Sequence, residues 1–234
     1  MMKNVIGKVS ILMSVLFMQT ALGQAVFQSV DLVVSNPAAV VAAMDKFAAS
    51  PTASSQTSTV QLYQYVAAGE NEATHAINVI HPSPSDMDSN LMSAQGSQDQ
   101  AALFAEIGQG ARIVNRWMGQ ILLSGGSAEN ITTPNPAAMV YMMSVSDPAS
   151  YAPAFASFIG KNSDVGQSFL SSIIVDGENP ATHVVLNFGN SMGELLMNQP
   201  QTQEGWDEYV ASAGDNRTIE ATAMLQLVKV WAPE

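Results

Sequence analysis

The sequence predicts an α+β fold built from two tandem copies of one small unit. Three observations predict this: a seven-residue motif occurs twice, an Asn-Pro or Asp-Pro pair follows a strand-like segment in each half, and the predicted elements keep the same order in both halves. The motif runs from Gly69 to His75 and again from Gly177 to His183, with six of seven residues identical at an offset of 108. Self-similarity of this kind indicates an internal duplication.

The start of the chain has the pattern of a secretory signal peptide. Lys3 and Lys8 give a positively charged beginning, an apolar stretch follows, and Ala21 and Gly23 place small residues at the expected cleavage site. This order of regions is typical of signal peptides, and the apolar stretch is too short to span a bilayer comfortably. We expect residues 1–23 to be removed and the protein to be periplasmic or extracellular, without stable membrane insertion afterwards.

Each copy then opens with a strand that leads into a helix. The pairs Asn36-Pro37 and Asp147-Pro148 stand at the same place in the two copies, at an offset of 111. A short polar side chain caps the start of a helix, and proline is favoured at its first position. We therefore predict that a helix begins at each of these prolines.

The remaining elements follow from strand-like and helix-like patterns between turn signals. The first copy is predicted to contain strands at about 27–34, 59–67, 74–80 and 113–123, with helical segments at 37–49 and 85–108. The second copy is predicted to contain strands at about 138–145, 167–175, 182–188 and 217–231, with helical segments at 148–160 and 191–213. The repeated Gly-Glu-Asn segment is the turn between the second and third strands, where Gly and Asn tolerate unusual backbone angles.

These elements predict two structural units after the signal peptide. The first repeat spans 24–124, a Gly- and Pro-rich linker spans 125–136, and the second repeat spans 137–234. Near the end of each copy, Arg112 aligns with Arg217 at an offset of 105. The offset thus drifts along the chain, as small loop deletions after a duplication would produce.

The order strand-helix-strand-strand-helix-strand is that of the ferredoxin-like fold. Such a unit leaves one face of its antiparallel sheet open, and the second copy is the obvious cover. We predict two tandem ferredoxin-like units whose sheets pack face to face as an intramolecular pseudo-dimeric α+β barrel. With its strand leading to an Asn/Asp-Pro helix start, the duplicated unit resembles the dimeric α+β barrel superfamily, which includes the antibiotic-biosynthesis-monooxygenase-like proteins.

That resemblance covers residues 26–232 and implies several activities. The superfamily includes cofactor-free oxygenases, haem-degrading or haem-using enzymes and dehydratases, so that the fold does not fix the function. Haem-degrading relatives use an Asn, a Trp and a His, and the sequence contains Asn115, Trp117 and His75. In those relatives the His lies on a helix, whereas His75 is predicted on a strand or turn. The residues are therefore not carried over, and no cofactor is predicted.

The composition excludes several classes of function. The formal net charge is −12, and the few basic residues are scattered, so no basic patch is available to neutralise nucleic-acid phosphates. The chain has no cysteine, which excludes a thiolate metal site and a cysteine nucleophile. His75 and His81 lack further ligands at strand spacing, and a metal site needs three or four. No metal site is predicted.

His75 and His183 end the two copies of the repeated motif. An imidazole can serve as a general base, so both are candidate catalytic residues. The alternative is that Thr-His marks the junction between the turn and the strand, with the imidazole hydrogen-bonded nearby. A feature kept in both copies fits that structural role as readily as a chemical one.

Polar and aromatic residues at alternate strand positions are the candidate ligand-binding residues. Alternation puts residues two apart on the same face of a strand. If the apolar faces meet the helices, five side chains face the space between the sheets: Asp31, Tyr63, Tyr65, Asn115 and Trp117. A mixture of aromatic and a few polar groups is typical of small-molecule sites.

Three functional hypotheses remain. The first is an exported protein that binds a small molecule between the two sheets. The second is a cofactor-free oxygenase or related enzyme, in which His75 or His183 acts as a base beside Tyr63 and Tyr65. The third is a structural or assembly protein of the cell exterior. The sequence favours the first, and it leaves the ligand, the question of enzymatic activity and the oligomeric state open.

Overall fold

A computed structural model describes residues 25–177 and 179–233. The predicted signal peptide lies outside the described residues. The strands are β1 (Val26–Val34), β2 (Thr59–Ala67), β3 (His75–His81), β4 (Ala111–Gly126), β5 (Ala137–Val145), β6 (Gln167–Val175), β7 (His183–Gly189) and β8 (Arg217–Trp231). The helices are α1 (Pro37–Ala48), α2 (Pro51–Ser54), α3 (Pro84–Ala94), α4 (Gln98–Gly110), α5 (Pro148–Lys161), α6 (Met192–Met197) and α7 (Trp206–Ala213).

The eight strands form one closed antiparallel barrel in the order β1-β3-β2-β8-β5-β7-β6-β4. Each repeat contributes four neighbouring strands, in the order β4-β1-β3-β2 for the first and β8-β5-β7-β6 for the second. The predicted fold class, a pseudo-dimeric α+β barrel of two ferredoxin-like units, is confirmed. Because neighbours are antiparallel, β1 and β5 run in the same direction on opposite walls, and the pseudo-twofold axis lies along the barrel axis.

The long fourth strand of each repeat closes the barrel. The first part of β4 pairs with β1, and its last part, from Met118 to Gly126, pairs with β6 of the other repeat. Likewise, β8 pairs first with β5 and then with β2. The two sheets are therefore hydrogen-bonded at both edges, which leaves the barrel without free strand edges.

The predicted caps explain where the first helix of each repeat begins. The Asn36 side chain accepts a hydrogen bond from the Ala39 amide at 3.2 Å. The Asp147 side chain accepts from the Ala149 and Ser150 amides at 3.1 and 3.3 Å. These bonds satisfy amide groups that have no partner inside the helix.

The repeated motif forms the turns β2–β3 and β6–β7. Gly69 and Gly177 adopt φ angles of 59° and 60°, a left-handed conformation that glycine adopts without strain. The end of the barrel that carries these two turns is called the hairpin end below. β1 finishes and β4 begins at this end, since Val34 pairs with Ala111.

The strand register corrects one alignment made from the sequence. Val34 pairs with Ala111 in the first repeat, and its equivalent Val145 pairs with Arg217 in the second. Arg217 therefore corresponds to Ala111, at an offset of 106, and the alignment of Arg217 with Arg112 is wrong by one residue.

Helices cover the outer face of the barrel wall in both repeats. In the first repeat the buried side chains under α1 and α4 are aliphatic and include Leu32, Val40 and Leu103. In the second repeat the layer under α5 and α7 is largely aromatic and includes Tyr151 and Tyr209. Within residues 25–177 and 179–233, no helix has the length and apolar character needed to cross a membrane.

Candidate functional site

The barrel encloses a cavity of about 850 Å³. Its wall is formed by alternate residues of the strands, as the inward positions of β1 and β3 show: Phe27, Ser29, Asp31, Ala76, Asn78 and Ile80. Most of the remaining lining is apolar and comes from both repeats. The volume lies in the range of pockets that hold a small organic molecule.

A buried carboxyl group marks the hairpin end of this cavity. Asp31 is 5% exposed, and it accepts a hydrogen bond of 2.8 Å from the Tyr65 hydroxyl. Burial raises the pKa of Asp31, while hydrogen bonds from Tyr65 and from the Trp117 side chain counteract part of that rise. The Trp117 ring is held edge-on against Phe27, with 5.2 Å between centroids. The carboxyl group thus has a fixed position in the wall.

A second acid lies close to the first. Asp176, from the β6–β7 turn, contributes electrostatically to the raised pKa of Asp31. One of its oxygens accepts a hydrogen bond of 3.0 Å from the Asn115 side chain, and the other is buried without a partner among the described residues. The hairpin end of the cavity is therefore rich in hydrogen-bond acceptors.

The hydrogen-bonded cluster of Asp31, Tyr65 and Trp117 belongs to the first repeat alone. By strand register, the positions of Asp31, Tyr65 and Trp117 correspond to residues in the second repeat that carry no polar side-chain group. These counterparts are Met142, Ile173 and Ala223. The wall from the first repeat thus carries the buried carboxyl group and its hydrogen-bond donors, whereas the polar lining residues from the second repeat are the uncharged Ser171, Asn179 and Thr222.

Four of the five predicted ligand-binding residues line the cavity: Asp31, Tyr65, Asn115 and Trp117. Tyr63 also points inward but is completely buried. Its hydroxyl donates to the Gln61 side chain at 2.9 Å, and its ring packs against Phe188. Tyr63 therefore supports the wall of the cavity, whereas Asp31, Tyr65 and Trp117 form the hydrogen-bonded cluster.

The histidines occupy a different place from the one the enzyme hypothesis requires. His75 and His183 are buried on the outer face of the sheet and line neither the barrel cavity nor the cavity under the second repeat's helices. His75 Nδ1 lies 3.0 Å from Thr74 Oγ1, and His183 Nδ1 lies 2.9 Å from Thr182 Oγ1. A general base beside Tyr63 and Tyr65 does not fit this geometry.

The threonines show what the motif does in the fold. The Thr74 hydroxyl accepts a hydrogen bond from the Val34 amide at 2.8 Å, and the Thr182 hydroxyl accepts from the Val145 amide at 2.9 Å. Each threonine thereby ties the start of the third strand to the end of the first. The neighbouring imidazole completes this anchor, which fits the structural alternative for the Thr-His pair.

Haem does not fit the residues of this chain. The superfamily resemblance implies haem for some members, and a haem iron is commonly held by a histidine. None of the three histidines of the chain lines either cavity. Among the described residues, no group of three His, Asp or Glu side chains is arranged to hold a metal ion.

Asp176 is the polar group that sequence reasoning missed. It directly follows the strand segment 167–175 and precedes the second copy of the motif. Its position at the junction of a strand and a turn could have indicated a polar group at the end of the barrel. Its approach to Asp31 depends on the pairing of β4 with β6, which the sequence does not reveal.

Comparison with solved structures places the chain in the dimeric α+β barrel fold. FN1347 of Fusobacterium nucleatum subsp. nucleatum ATCC 25586, provisionally named as a monooxygenase, superposes with a TM-score of 0.57 and 14% identity over 89% of this chain and 93% of that one. A protein of Lactobacillus acidophilus NCFM with the same provisional name gives a TM-score of 0.56 and 8% identity over 89% and 96% of the two chains. An anthrone oxidase-like protein gives 0.54 and 9% over 90% and 93%.

At these identities the similarity concerns the fold. The sequence matches no protein-family model and no curated protein sequence.

Proposed function

We propose that the protein binds one small molecule inside the barrel, with the polar part of the ligand at Asp31 and its apolar body against the opposite wall. The observation that carries this proposal is a buried carboxyl group, held by two hydrogen-bond donors, in the wall of a cavity of about 850 Å³. A carboxylate has about four acceptor sites. Tyr65 and Trp117 use two of them, which leaves acceptor capacity for a ligand.

The charges around the cavity support one class of ligand. Asp31 and Asp176 both lie at the hairpin end, and none of the described residues that line the cavity is Lys or Arg. An anionic ligand would be repelled there, whereas a hydroxyl, an amide N–H or an amine would be attracted. The proposed ligand is therefore a neutral or cationic molecule with an apolar body and a hydrogen-bond donor.

A fluorescent aromatic amine, 1-aminoanthracene, tests this proposal by titration into the purified protein. We expect saturable binding, and Asp31→Asn should weaken it by about tenfold or more, because hydrogen bonds to charged groups contribute roughly 1.5–3 kcal/mol. Asp88→Asn, which removes an exposed acid on α3, is the matched control and should leave the affinity unchanged.

A second variant tests whether the apolar body of the ligand occupies the cavity. Ala223→Phe places a ring in the part of the cavity wall that the second repeat supplies, and it should reduce binding by filling the cavity. Binding that is unaffected by both Asp31→Asn and Ala223→Phe would place the probe outside the barrel and refute the proposal. Absence of any saturable binding would favour the structural or assembly hypothesis, which size-exclusion measurements over a range of concentrations would then examine.

A cofactor-free oxygenase is the second candidate, and one observation favours it. Asp31 is a buried carboxyl group of raised pKa that faces a ligand-sized cavity, as a general base requires. In this role Asp31, and not His75 or His183, would accept a proton from an acidic C–H or O–H group of an aromatic substrate. Oxygen uptake in the presence of anthrone, the compound named in one of the similar structures, measures this activity. It should be lost in Asp31→Asn and kept in Asp88→Asn.

We also propose that the chain is exported, on the basis of the sequence pattern of residues 1–23. The mass of the mature protein recovered from the periplasm or medium measures the cleavage. Full-length protein confined to the cytoplasm would contradict export.

A further inference from the structure

The second repeat contains another cavity, on the opposite side of the barrel wall from the first. It has a volume of about 250 Å³ and lies between helices α5 and α7 and the outer faces of β5 and β7. The equivalent helix layer of the first repeat is packed with aliphatic side chains. One reason for the difference is helix length, since α7 has 8 residues where α4 has 13.

Comparison of the two repeats shows that this cavity has polar groups that the first repeat lacks at the equivalent positions. By strand register and helix start, four of its lining residues carry hydrogen-bonding groups where the first repeat has an aliphatic side chain. The four pairs, with the first repeat named first, are Val30 and Tyr141, Val40 and Tyr151, Val79 and Asn187, and Ala111 and Arg217. The fold does not require these groups, because the first repeat forms the same elements without them.

Arg217 forms a cationic end of the cavity. Its guanidinium group donates to the Tyr209 hydroxyl at 2.9 Å and lies over the Tyr209 and Trp206 rings, 4.7 and 5.5 Å from their centroids. Among the described residues, no carboxylate lies within 4 Å of it. The aromatic rings fix the plane of the guanidinium group, and most of its five donors remain available.

The Tyr209 hydroxyl continues this network. It lies 2.8 Å from the Tyr151 hydroxyl, which in turn donates to the sulfur of Met143 at 3.5 Å. Tyr209 therefore accepts from Arg217 and donates to Tyr151. Arg217 is held by a chain of buried groups, as a binding residue must be if it is to keep its orientation.

The other end of the cavity offers acceptors. The Asn187 Oδ1 atom is buried and has no hydrogen-bond partner among the described residues. Glu194 also lines this end, with one oxygen accepting from the Asn190 amide at 3.1 Å. A buried amide oxygen without a partner is costly. A donor group supplied by a ligand would relieve that cost.

Strand geometry places these two ends apart. On β5, Met139 pairs with Asn187 and Val145 pairs with Arg217. Six residues along a strand correspond to about 20 Å between backbone positions. The distance between the polar groups is shorter, because both side chains extend into the cavity. An occupant that satisfies both ends is therefore elongated.

We infer that this cavity is a second ligand site, which binds a small elongated carboxylate with an apolar, flat body and a hydrogen-bond donor at its far end. The carboxylate pairs with Arg217, the body lies among the aromatic rings, and the donor reaches Asn187. Arginine suits this role because its planar fork matches a carboxylate. The charge preference is opposite to that of the barrel cavity, so the two sites select different molecules.

Isothermal titration calorimetry with 3-(4-hydroxyphenyl)propanoate tests the inference on the intact mature protein. We expect one saturable site. 4-Propylphenol, which lacks the carboxylate, should bind this site roughly 10- to 100-fold more weakly, as loss of a charge-assisted hydrogen bond implies, and it is titrated into the Asp31→Asn protein so that the barrel does not contribute. 3-Phenylpropanoate, which lacks the donor, should bind about 3- to 10-fold more weakly than the hydroxylated acid.

Two variants test which residue contacts each end of the ligand. Arg217→Gln should weaken binding of the hydroxylated acid by roughly 10- to 100-fold. Asn187→Val, which restores the first repeat's residue, should abolish the preference for the hydroxylated acid over 3-phenylpropanoate. Arg112→Gln removes an exposed arginine paired with Glu72 and is the matched control, with unchanged affinity expected.

A further control tests whether the acid binds in the barrel instead. Asp31→Asn should leave the affinity for 3-(4-hydroxyphenyl)propanoate unchanged; a loss of binding in this variant would place the acid in the barrel and overturn the inference. Absence of binding at millimolar concentration would also overturn it, as would unchanged affinity in a folded Arg217→Gln protein. Should Arg217→Gln fail to fold, the Asn187→Val selectivity decides, and a preference that survives this substitution refutes the site.

Discussion

The hydrogen bond from Tyr65 to Asp31 should contribute measurably to stability. Tyr65→Phe keeps the ring and removes the hydroxyl, which lies 2.8 Å from a carboxyl oxygen whose residue is 5% exposed. A hydrogen bond to a buried charged group contributes about 1.5–3 kcal/mol. Since about 1 kcal/mol corresponds to roughly 2–4 °C in a protein of this size, we expect the Tm to fall by roughly 3–12 °C at neutral pH.

The loss should depend on pH. The folded-state pKa of Asp31 is raised, mainly by burial, so the folded protein keeps this proton over a pH range in which the unfolded chain has lost it. The contribution of Asp31 to stability therefore decreases as the pH rises through that range. Removal of the Tyr65 donor raises the pKa of Asp31 further. Tyr65→Phe should cost less in acid, where Asp31 is protonated and only a neutral hydrogen bond is lost.

A double-mutant cycle provides the decisive comparison. In the Asp31→Asn background, Tyr65→Phe should cost no more than about 1 kcal/mol, the value of a neutral hydrogen bond. Tyr141→Phe is a suitable control, because the Tyr141 hydroxyl has no hydrogen-bond partner among residues 25–177 and 179–233. Equal costs of Tyr65→Phe with and without the Asp31 charge, measured by thermal or urea unfolding, would refute this account.

Two further expectations concern the Thr-His anchors. Thr74→Val and Thr182→Val should each reduce the free energy of unfolding by about 1–3 kcal/mol in urea titrations, because each leaves a backbone amide without its acceptor; a loss in one copy alone would contradict the shared role. Burial lowers the pKa of His75 and His183, so stability should be lost as the pH falls below about 6.5, and His75→Leu should reduce this dependence in pH-resolved melting curves.

The fold was predictable because local and global signals agree in this chain. Asn36-Pro37 and Asp147-Pro148 mark helix starts by a local mechanism, and the caps form as expected. Because the unit is duplicated, each element predicted in one repeat also supports the prediction of the equivalent element in the other repeat. The closure of the barrel was less accessible, because the pairings of β2 with β8 and β4 with β6 join residues that no local pattern connects.

The candidate site was predictable in part for a similar reason. Strand alternation is short-range, and it correctly directed Asp31, Tyr65 and Trp117 to the barrel interior. The single-residue error at Arg217 has a different cause. The segment between the third and fourth strands differs in length between the repeats, and only the pairing with Val145 fixes where the fourth strand begins. Without this register, the contrast between Ala111 and Arg217 is hidden.

That contrast shows how the two repeats have diverged. The sheet of each repeat has one face under its helices and one face toward the barrel. In the first repeat the layer under the helices is aliphatic, and Asp31 lies in the barrel wall. The second repeat does the reverse, with Met142 in the barrel wall and Arg217 under its helices. Polar substitutions inside a protein are costly. Asp31 and Arg217 lie on different faces of their repeats, so the helix layer of the first repeat and the barrel face of the second each lack the charged group that the other repeat carries there.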